Sequence, residues 1–223
     1  LSVEEDVRLA LARTSFRDDA GGIYQAEYYC QWESERVIHA GIEDHVNILK
    51  LTDSFSITMK SYFIVTPFCE GGTLEDAAAK QPRRALSEAR LRILGLEILA
   101  GLAHLRDHHV VHNDIKPSNI FFDGLDEGLK IGDFGQSALH LPDDDEEPDL
   151  PRYEERYAAP EQLQSGKGSF QVDVWSLGIS LHEVVVGYCP IVDDLFKFIP
   201  DERFQDLSKD CQDLICAMLT VDP

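Results

Sequence analysis

The spacing of the apolar residues changes about one third of the way along this chain of 223 residues. Before a glycine-containing breaker at 70–72, the apolar residues form short runs rich in β-branched and aromatic side chains, which is typical of strands. After the breaker they recur at helical spacing over long stretches. The sequence therefore predicts an α+β fold, with a small strand-rich part over residues 1–69 and a larger, mainly helical part over 70–223.

The same patterns predict the individual elements. The longest helical pattern starts after Ser87, a good N-cap residue, and carries a stripe at positions 91, 94, 98, 102 and 105. The predicted helices are 23–40, 87–107, 172–186 and 206–219, and the predicted strands are 7–13, 48–51, 62–65, 110–111, 120–122 and 129–131.

The charge balance bears on the partners. There are 41 acidic side chains against 20 basic ones, and the formal net charge is −21. Nucleic-acid sites need clustered lysine and arginine to neutralise phosphates, and anionic membrane surfaces attract the same residues. The most apolar stretch, 177–192, carries His182 and Glu183 and is shorter than the ~20 residues of a membrane span. We therefore expect neither a nucleic-acid partner nor a membrane partner.

Cysteine usage and the first residues bear on the cellular compartment. The five cysteines are odd in number and form no C-x-x-C pair, so we interpret them as reduced thiols. The start of the chain lacks the basic and then apolar pattern of a signal peptide, and it also lacks an initiator Met. We expect a cytoplasmic or nuclear protein, and a domain that is cut from a longer chain.

Three chemically demanding side chains lie within residues 112–119. Asp114, Lys116 and Asn119 supply a carboxylate, an ammonium and an amide in a loop between two short predicted strands, and Asp133 follows the next predicted strand. Two carboxylates with an amide between them are hard oxygen ligands suited to Mg²⁺ and phosphate. A lone aspartate near a turn is more often a cap, so the linked pattern, not any single residue, favours a functional interpretation.

Four motifs in order make the pattern specific. H-x-D-x-K-P-x-N at 112–119 is followed by D-F-G at 133–135, A-P-E at 159–161 and D-V-W-S-L-G at 173–178. From about residue 7 to its end, the chain resembles eukaryotic-type protein kinases of the Ser/Thr type. The resemblance implies a bilobal fold with a small, incomplete, β-rich N-terminal lobe and a larger helical C-terminal lobe. It also implies ATP and Mg²⁺ as cofactors.

The resemblance implies a role for each motif residue. Asp114 would accept the proton of the substrate hydroxyl, and Lys116 would steady the terminal phosphate. Asn119 and Asp133 would hold Mg²⁺, and Asp173 would anchor the backbone of the catalytic loop. The cofactor-binding residues implied in this way are Thr66, Phe68, Cys69, Asn119, Phe121, Arg13 and Glu35. For Thr66, at the gatekeeper place, a plain strand residue stays an open alternative.

The N-terminal part departs from the family pattern. It contains no G-x-G-x-x-G loop, and its first lysine, Lys50, comes too late to be the strand lysine of the family. Arg13 stands near the expected place, with Glu35 as its expected partner and Glu33 as the second choice. Arginine keeps the charge, but its rigid planar fork is no neutral replacement for lysine. Either the glycine-rich strands lie upstream of residue 1, or the kinase is degenerate.

Two further departures concern regulation and the substrate site. Asn113 replaces the arginine that usually precedes the catalytic aspartate and pairs with a phosphate on the activation segment. We therefore expect that phosphorylation of this segment is not the main activating switch. Glu154 stands five residues before Ala159, where Ser/Thr kinases usually have a threonine, which puts the geometry of the substrate site in question.

The histidines at 104, 108 and 112 recur every four residues, as metal ligands on one helix face can. No cysteine or fourth ligand has matching spacing, so we interpret them as surface and core residues near a helix end.

Three functions are compatible with this sequence. The first is an active Ser/Thr protein kinase, and the second is a pseudokinase that binds partners as a scaffold. The third is a small-molecule phosphotransferase of related fold, which Lys116 and the A-P-E and D-V-W-S-L-G motifs disfavour. We favour the enzyme because Asp114, Lys116, Asn119 and Asp133 are all present. A protein substrate is expected. The acidic run at 143–149 is either a solvated insertion or a segment that attracts basic substrates or occupies a basic site of the chain itself. The oligomeric state is not readable.

Overall fold

The computed structural model describes residues 9–15, 23–58, 61–124, 128–141, 146–150, 152–192 and 196–220. Backbone alone is described for residues 9–15 and 23–31 and at a few further positions, so the side chain of Arg13 lies outside the described part.

The N-terminal layer is an antiparallel sheet covered by one helix. Its strands are β1 (Leu9–Ser15), β2 (Asp53–Thr58) and β3 (Ser61–Pro67), in the order β1-β3-β2. Helix α1 (Ile23–Gly41) packs on the sheet through Trp32, whose ring stacks on Tyr62 at a centroid distance of 5.1 Å. These two rings and Ile64 form a small buried cluster of their own, which orients α1 on the sheet.

The rest of the chain is built on helices. The helices after α1 are α2 (Leu74–Ala79), α3 (Glu88–Asp107), α4 (Pro160–Ser165), α5 (Phe170–Val186), α6 (Glu202–Gln205) and α7 (Lys209–Met218), with 3₁₀ turns at Pro82–Arg84 and Pro117–Asn119. Helix α3 is capped by Ser87, whose hydroxyl accepts a hydrogen bond from the N–H of Arg90, and its predicted stripe is buried. Most of α5 is buried, which makes it the central helix of the main core, and α3 and α7 pack against it.

Short strands lie between the sheet layer and the helices. They are β4 (Gly72–Thr73), β5 (Val110–Val111), β6 (Ile120–Phe122), β7 (Leu129–Ile131), β8 (Ala138–Leu139), β9 (Ile191–Val192) and β10 (Phe198–Ile199). Three of them form a sheet in the order β4-β6-β7, and β5 pairs with β8 and β9 with β10, all antiparallel.

Most of the predicted elements are confirmed. The helices predicted at 23–40, 87–107 and 172–186 and the strands at 62–65, 110–111, 120–122 and 129–131 are present within a few residues. The strand predicted at 7–13 matches β1 from residue 9, and residues 7 and 8 lie outside the described part. The α+β class is confirmed, whereas the boundary between residues 69 and 70 stays a prediction. Across the described residues, no helix is both long and apolar enough to cross a bilayer.

One predicted strand was wrong. Residues 48–51 form no strand, and only Ile48 makes an isolated bridge, to Ile131. Their apolar pattern reflects burial of Ile48 and Leu49 in the core instead of membership in a ladder. The helix predicted at 206–219 is confirmed as α7, which starts at Lys209 because Ser208 caps it by accepting the N–H of Cys211.

Candidate active site

The loop between β5 and β6 holds the first cluster of functional side chains. The amide of Asn119 donates to the Asp114 carboxylate at 2.8 Å and to its backbone oxygen at 2.9 Å. Lys116 Nζ lies 2.9 Å from Asp114 Oδ2. Both hydrogen bonds of Asn119 use its nitrogen, so its amide oxygen stays available to ligate a cation. The loop thus presents a carboxylate, an ammonium and an amide oxygen together.

Asp173 in the first turn of α5 fixes the backbone of this loop. Its two carboxylate oxygens accept the backbone N–H groups of His112 and Asn113, both at 2.8 Å. Burial raises the pKa of Asp173 to about 7, although the two N–H donors favour the charged form. The structure therefore agrees with the expectation that Asp173 anchors the catalytic loop.

The hairpin β6–β7 brings Asp133 beside this cluster. Ile120 pairs with Ile131, and the N–H of Gly132 donates to the carbonyl of Asn119 at 3.0 Å. Asp133 follows directly, with φ of +67° and an exposed side chain. Its charge acts on Asp114: burial raises the pKa of Asp114, Lys116 and Asn119 oppose this, and Asp133 adds to the rise.

Phe134 and His112 form the floor below the carboxylates. Phe134 is 1 % exposed, and its ring packs against His39 of α1 at 4.4 Å and His112 at 5.0 Å. Burial lowers the pKa of His112 to about 4, so its ring is neutral at pH 7. Since the N–H of Asp114 donates to its Nδ1, the Nε2–H donates to the carbonyl of Gly132 at 3.2 Å. His112 therefore ties the loop to the residue before Asp133.

Helix α1 contributes Glu35 to the same site. Burial, and then the charge of Asp133, raise the pKa of Glu35 to about 7. A Cβ at Gly135 would lie 3.5 Å from Glu35 Oε2, which places this carboxyl next to the D-F-G segment. Glu33, the second choice, is ion-paired with Arg36 instead. The backbone of Arg13 lies opposite Phe63, and the expected pair between the side chains of Arg13 and Glu35 falls outside the described residues.

The cofactor-binding residues expected near 66–69 lie at the end of β3 and just after it. Thr66 is half-buried at the end of the strand, Phe68 is 48 % exposed, and Cys69 is buried, which raises the pKa of its thiol. The N–H of Gly71 donates a hydrogen bond to the carbonyl of Phe122, which connects the segment 66–71 to β6. A Cβ at Gly71 would come within 2.4 Å of the Phe122 side chain, so only glycine fits this approach.

Phe121, the remaining candidate for cofactor binding, pairs with Thr73 in the sheet and is half-buried. A Cβ at Gly132 would lie 3.1 Å from its ring, so Phe121 lies close to the residue before Asp133. The structure thus connects the segment 66–71 to the strand that follows Asn119.

Asn113 joins the loop to the segment after Asp133. Its amide nitrogen donates to the carbonyls of Gln136 at 3.0 Å and Arg152 at 2.8 Å. Its amide oxygen accepts from Gln162 Nε2 at 2.6 Å, and Gln162 Oε1 accepts the N–H of Ala159 at 2.7 Å. A neutral network therefore surrounds Asn113, at the position where the resemblance to protein kinases implies an arginine. Sequence reasoning missed Gln162, because its contact with Asn113 joins residues 49 positions apart and leaves no local signal.

Glu154 also joins the site. Its carboxylate lies 3.1 Å from Lys116 Nζ, so Lys116 is shared between Asp114 and Glu154. The sequence indicated an unusual acid at this position but not which side chain it meets.

The three histidines of equal spacing separate into two places. The ring of His104 stacks on His45 at 4.5 Å and lies 4.2 Å from the ring of His108, at the end of α3. His112 lies in the floor of the carboxylate site instead. Within the described residues, no group of three or more histidine, cysteine or acidic side chains has the geometry of a metal site.

Comparison with known proteins agrees with this geometry. A family model described as the protein kinase domain matches residues 24–223. The chain is 32% identical over 203 residues to a calcium and calcium/calmodulin-dependent serine/threonine-protein kinase of Pisum sativum. This match covers 84% of this chain and 37% of that protein. It is 31% identical over 190 residues to serine/threonine-protein kinase ULK3 of Xenopus laevis, covering 80% and 40%.

A third relative is the cell cycle serine/threonine-protein kinase CDC5/MSD2 of Saccharomyces cerevisiae, with 30% identity over 229 residues. That match covers 93% of this chain and 32% of the yeast protein. The chain therefore spans between about a third and two fifths of the length of these curated relatives.

Proposed function

The chain belongs to the eukaryotic-type protein kinase family, and from this premise we propose that it transfers the terminal phosphoryl group of ATP to serine and threonine hydroxyls of proteins. The observation that carries the proposal is the grouping of Asp114, Lys116, Asn119 and Asp133 at one edge of the β6–β7 hairpin. Asp173 and His112 hold the backbone of that group in place.

Asp114 is the group that orients the acceptor hydroxyl. Its Oδ2 is held by Asn119 and Lys116, so the carboxylate is fixed in direction. Asp114 takes the hydroxyl proton as the hydroxyl oxygen bonds to phosphorus and the bond to the leaving ADP breaks. Burial raises the pKa of Asp114, which favours its acceptance of that proton.

The oxygen donors fit a magnesium-bound nucleotide. Asn119 offers an amide oxygen, and Asp133 offers an exposed carboxylate of which one oxygen accepts the N–H of Gly135. Hard oxygen ligands of this kind suit Mg²⁺. When bound, Mg-ATP supplies the phosphoryl group and neutralises its developing charge. Lys116 adds a cation beside Asp114, so positioning and charge neutralisation supply most of the rate.

Basic substrates and a reducing compartment are part of the same proposal. Glu147, Asp149, Glu154 and Glu155 are exposed along the segment between Asp133 and the A-P-E motif, which supports a preference for basic peptides. Cytoplasmic or nuclear location is supported by the four described cysteines, which are all free thiols.

A second candidate function is a pseudokinase that binds partners. Arginine at position 13, in place of the family lysine, favours it. Binding of Mg-ATP by the wild-type protein without any phosphoryl transfer would select this second function.

The test compares Asp114→Asn and Asp133→Asn with Asp107→Asn, an exposed aspartate at the end of α3. Asp114→Asn should lower transfer to a serine peptide about 10²- to 10⁴-fold while Mg-ATP still raises the melting temperature. Asp133→Asn should lose both transfer and the Mg²⁺-dependent part of the thermal shift. Asp107→Asn should behave as wild type. Transfer that survives Asp133→Asn would rule out the assigned metal role.

A further inference from the structure

Lys116 is shared between two carboxylates. Its Nζ lies 2.9 Å from Asp114 Oδ2 and 3.1 Å from Glu154 Oε2. The Lys116 side chain is 19 % exposed, whereas that of Glu154 is 41 % exposed. An ammonium has three N–H donors, so these two contacts leave only one, and an anion that makes more than one contact with Lys116 must displace a carboxylate.

The charge of this group is unbalanced. Two carboxylates face one ammonium, so the three side chains carry a net charge of −1 when both acids are ionised. Burial alone would lower the pKa of Lys116, but its contacts with Asp114 and Glu154 raise it, so the ammonium stays charged. An incoming phosphate must compete for that ammonium with a carboxylate that is already in contact.

Hydrogen bonds hold the backbone on both sides of Glu154, so its contact with Lys116 is part of the packed structure. The carbonyl of Arg152 accepts from the amide of Asn113 at 2.8 Å, and the carbonyl of Glu154 accepts the N–H of Tyr157 at 2.9 Å. Tyr157 is buried, and its hydroxyl donates to Glu183 at 2.6 Å. Both sides of Glu154 are therefore tied to the catalytic loop or the helical core.

We propose that Glu154 is a positioning residue that competes with the terminal phosphate of ATP for Lys116. Glu154 holds the ammonium until the third phosphate of ATP displaces it, whereas ADP lacks the phosphate that would reach Lys116. This inference rests on the proposed function, because it assigns Lys116 to the transferred phosphate. It predicts that Glu154 weakens ATP binding relative to ADP binding and slows transfer.

The test compares Glu154→Gln with Glu155→Gln. Both variants remove one negative charge from neighbouring exposed positions, but only Glu154 contacts Lys116. Glu154→Gln should raise the ratio of ATP affinity to ADP affinity, measured by calorimetry with Mg²⁺, by about two- to fivefold, the range of an exposed ion pair. It should also raise kcat with little change in KM for a neutral serine peptide, which does not depend on the acidic field of the segment. Glu155→Gln should leave both the affinity ratio and kcat at the wild-type values.

Equal changes of the affinity ratio in the two variants would mean that only the overall electrostatic field of this segment acts on the nucleotide, and would overturn the proposal. An unchanged or lowered affinity ratio in Glu154→Gln would overturn it as well.

A second readout needs no catalytic activity. Acylating reagents attack only the deprotonated amine, so the ion pair with Glu154 should slow acetylation of Lys116, as measured by mass spectrometry of the peptide. Acetylation of Lys116 should be about two- to fivefold faster in Glu154→Gln than in Glu155→Gln. If the wild type binds no nucleotide, the proposed function fails, and this rate alone decides whether Glu154 restrains Lys116. Equal acetylation rates in the two variants would overturn the restraint.

Discussion

Asn113 joins the catalytic loop to the segment after Asp133 through neutral hydrogen bonds. It is buried and has φ of +67°, a left-handed conformation that asparagine tolerates better than most residues. Its amide meets the carbonyls of Gln136 and Arg152 and the side chain of Gln162. The segment after Asp133 is therefore tied to the catalytic loop without a phosphate.

Two results are expected from this network. Phosphatase treatment should leave the transfer rate of the wild type unchanged. A large loss of activity after this treatment would show that a phosphate is needed after all.

Asn113→Ala should lower the free energy of unfolding by about 1–3 kcal/mol, since it leaves the buried amide of Gln162 and two carbonyls without their partner. Chemical denaturation measures the loss.

Gln162→Ala serves as the second arm of a double-mutant cycle. Because Asn113 and Gln162 contact each other, the double variant should lose less stability than the two single variants together.

Helix α1 carries a carboxyl whose ionisation depends on the fold. Burial and Asp133 raise the pKa of Glu35 from 4.5 to about 7, so the folded protein prefers the protonated form. Between those pH values the folded state holds a proton that the unfolded chain releases. The contribution of Glu35 to the free energy of unfolding therefore falls as the pH rises through this window.

Glu35→Gln removes this titration. The free energy of unfolding of the variant should be little higher than that of wild type at pH 5 and about 3 kcal/mol higher at pH 8. Urea unfolding across the pH range measures this difference. Glu33→Gln, on the same helix but in an ion pair with Arg36, should show no such rise with pH. A Glu35→Gln variant less stable than wild type at pH 8 would mean that Glu35 is ionised and paired, as the sequence predicts for Arg13 and Glu35.

Elements with a strong local signal could be predicted, and those set by distant contacts could not. Helix α3 has both a stripe and a cap, so its bounds follow from its own residues. Strand β2 was missed because it is an edge strand that exposes Phe55 and Ile57, which breaks the expected link between apolar residues and burial. Residues 48–51 show the reverse, because they are apolar without joining a ladder.

The same distinction holds for the site. Asp114, Lys116 and Asn119 lie five residues apart or closer, so one loop brings them together, and one hairpin adds Asp133. The contacts made by Glu154 and Gln162 join residues that are 38 and 49 positions apart along the chain. Such contacts depend on how the later segment packs, which no local pattern encodes.

The whole molecule is acidic, and much of its charge lies in one segment of the sequence. Ten of the 41 acidic side chains belong to residues 133–161, both ends included, together with two arginines, so this segment carries −8 of the net −21. Of its described acids, Glu146 pairs with Lys167 at 2.8 Å, whereas Glu147 and Asp149 are exposed to solvent. Such a field attracts basic peptides over a Debye length of about 8 Å at physiological salt.

This field predicts a salt-dependent effect on substrate affinity. Neutralising Glu147 and Asp149 to Gln and Asn should raise KM for an arginine-rich peptide about twofold at low salt and leave kcat unchanged. The difference should vanish near 0.5 M salt, since exposed charges are then largely screened at about 4 Å. Steady-state kinetics with basic and neutral peptides measures both effects.

The matched control neutralises Asp206 and Asp210, exposed acids at the end of α6 and the start of α7. It removes the same total charge from a different surface, so KM for the basic peptide should stay at the wild-type value. If both pairs raise KM equally, only the net charge of the molecule matters. If neither pair does, the acidic segment is a solvated insertion and the preference for basic substrates must be abandoned.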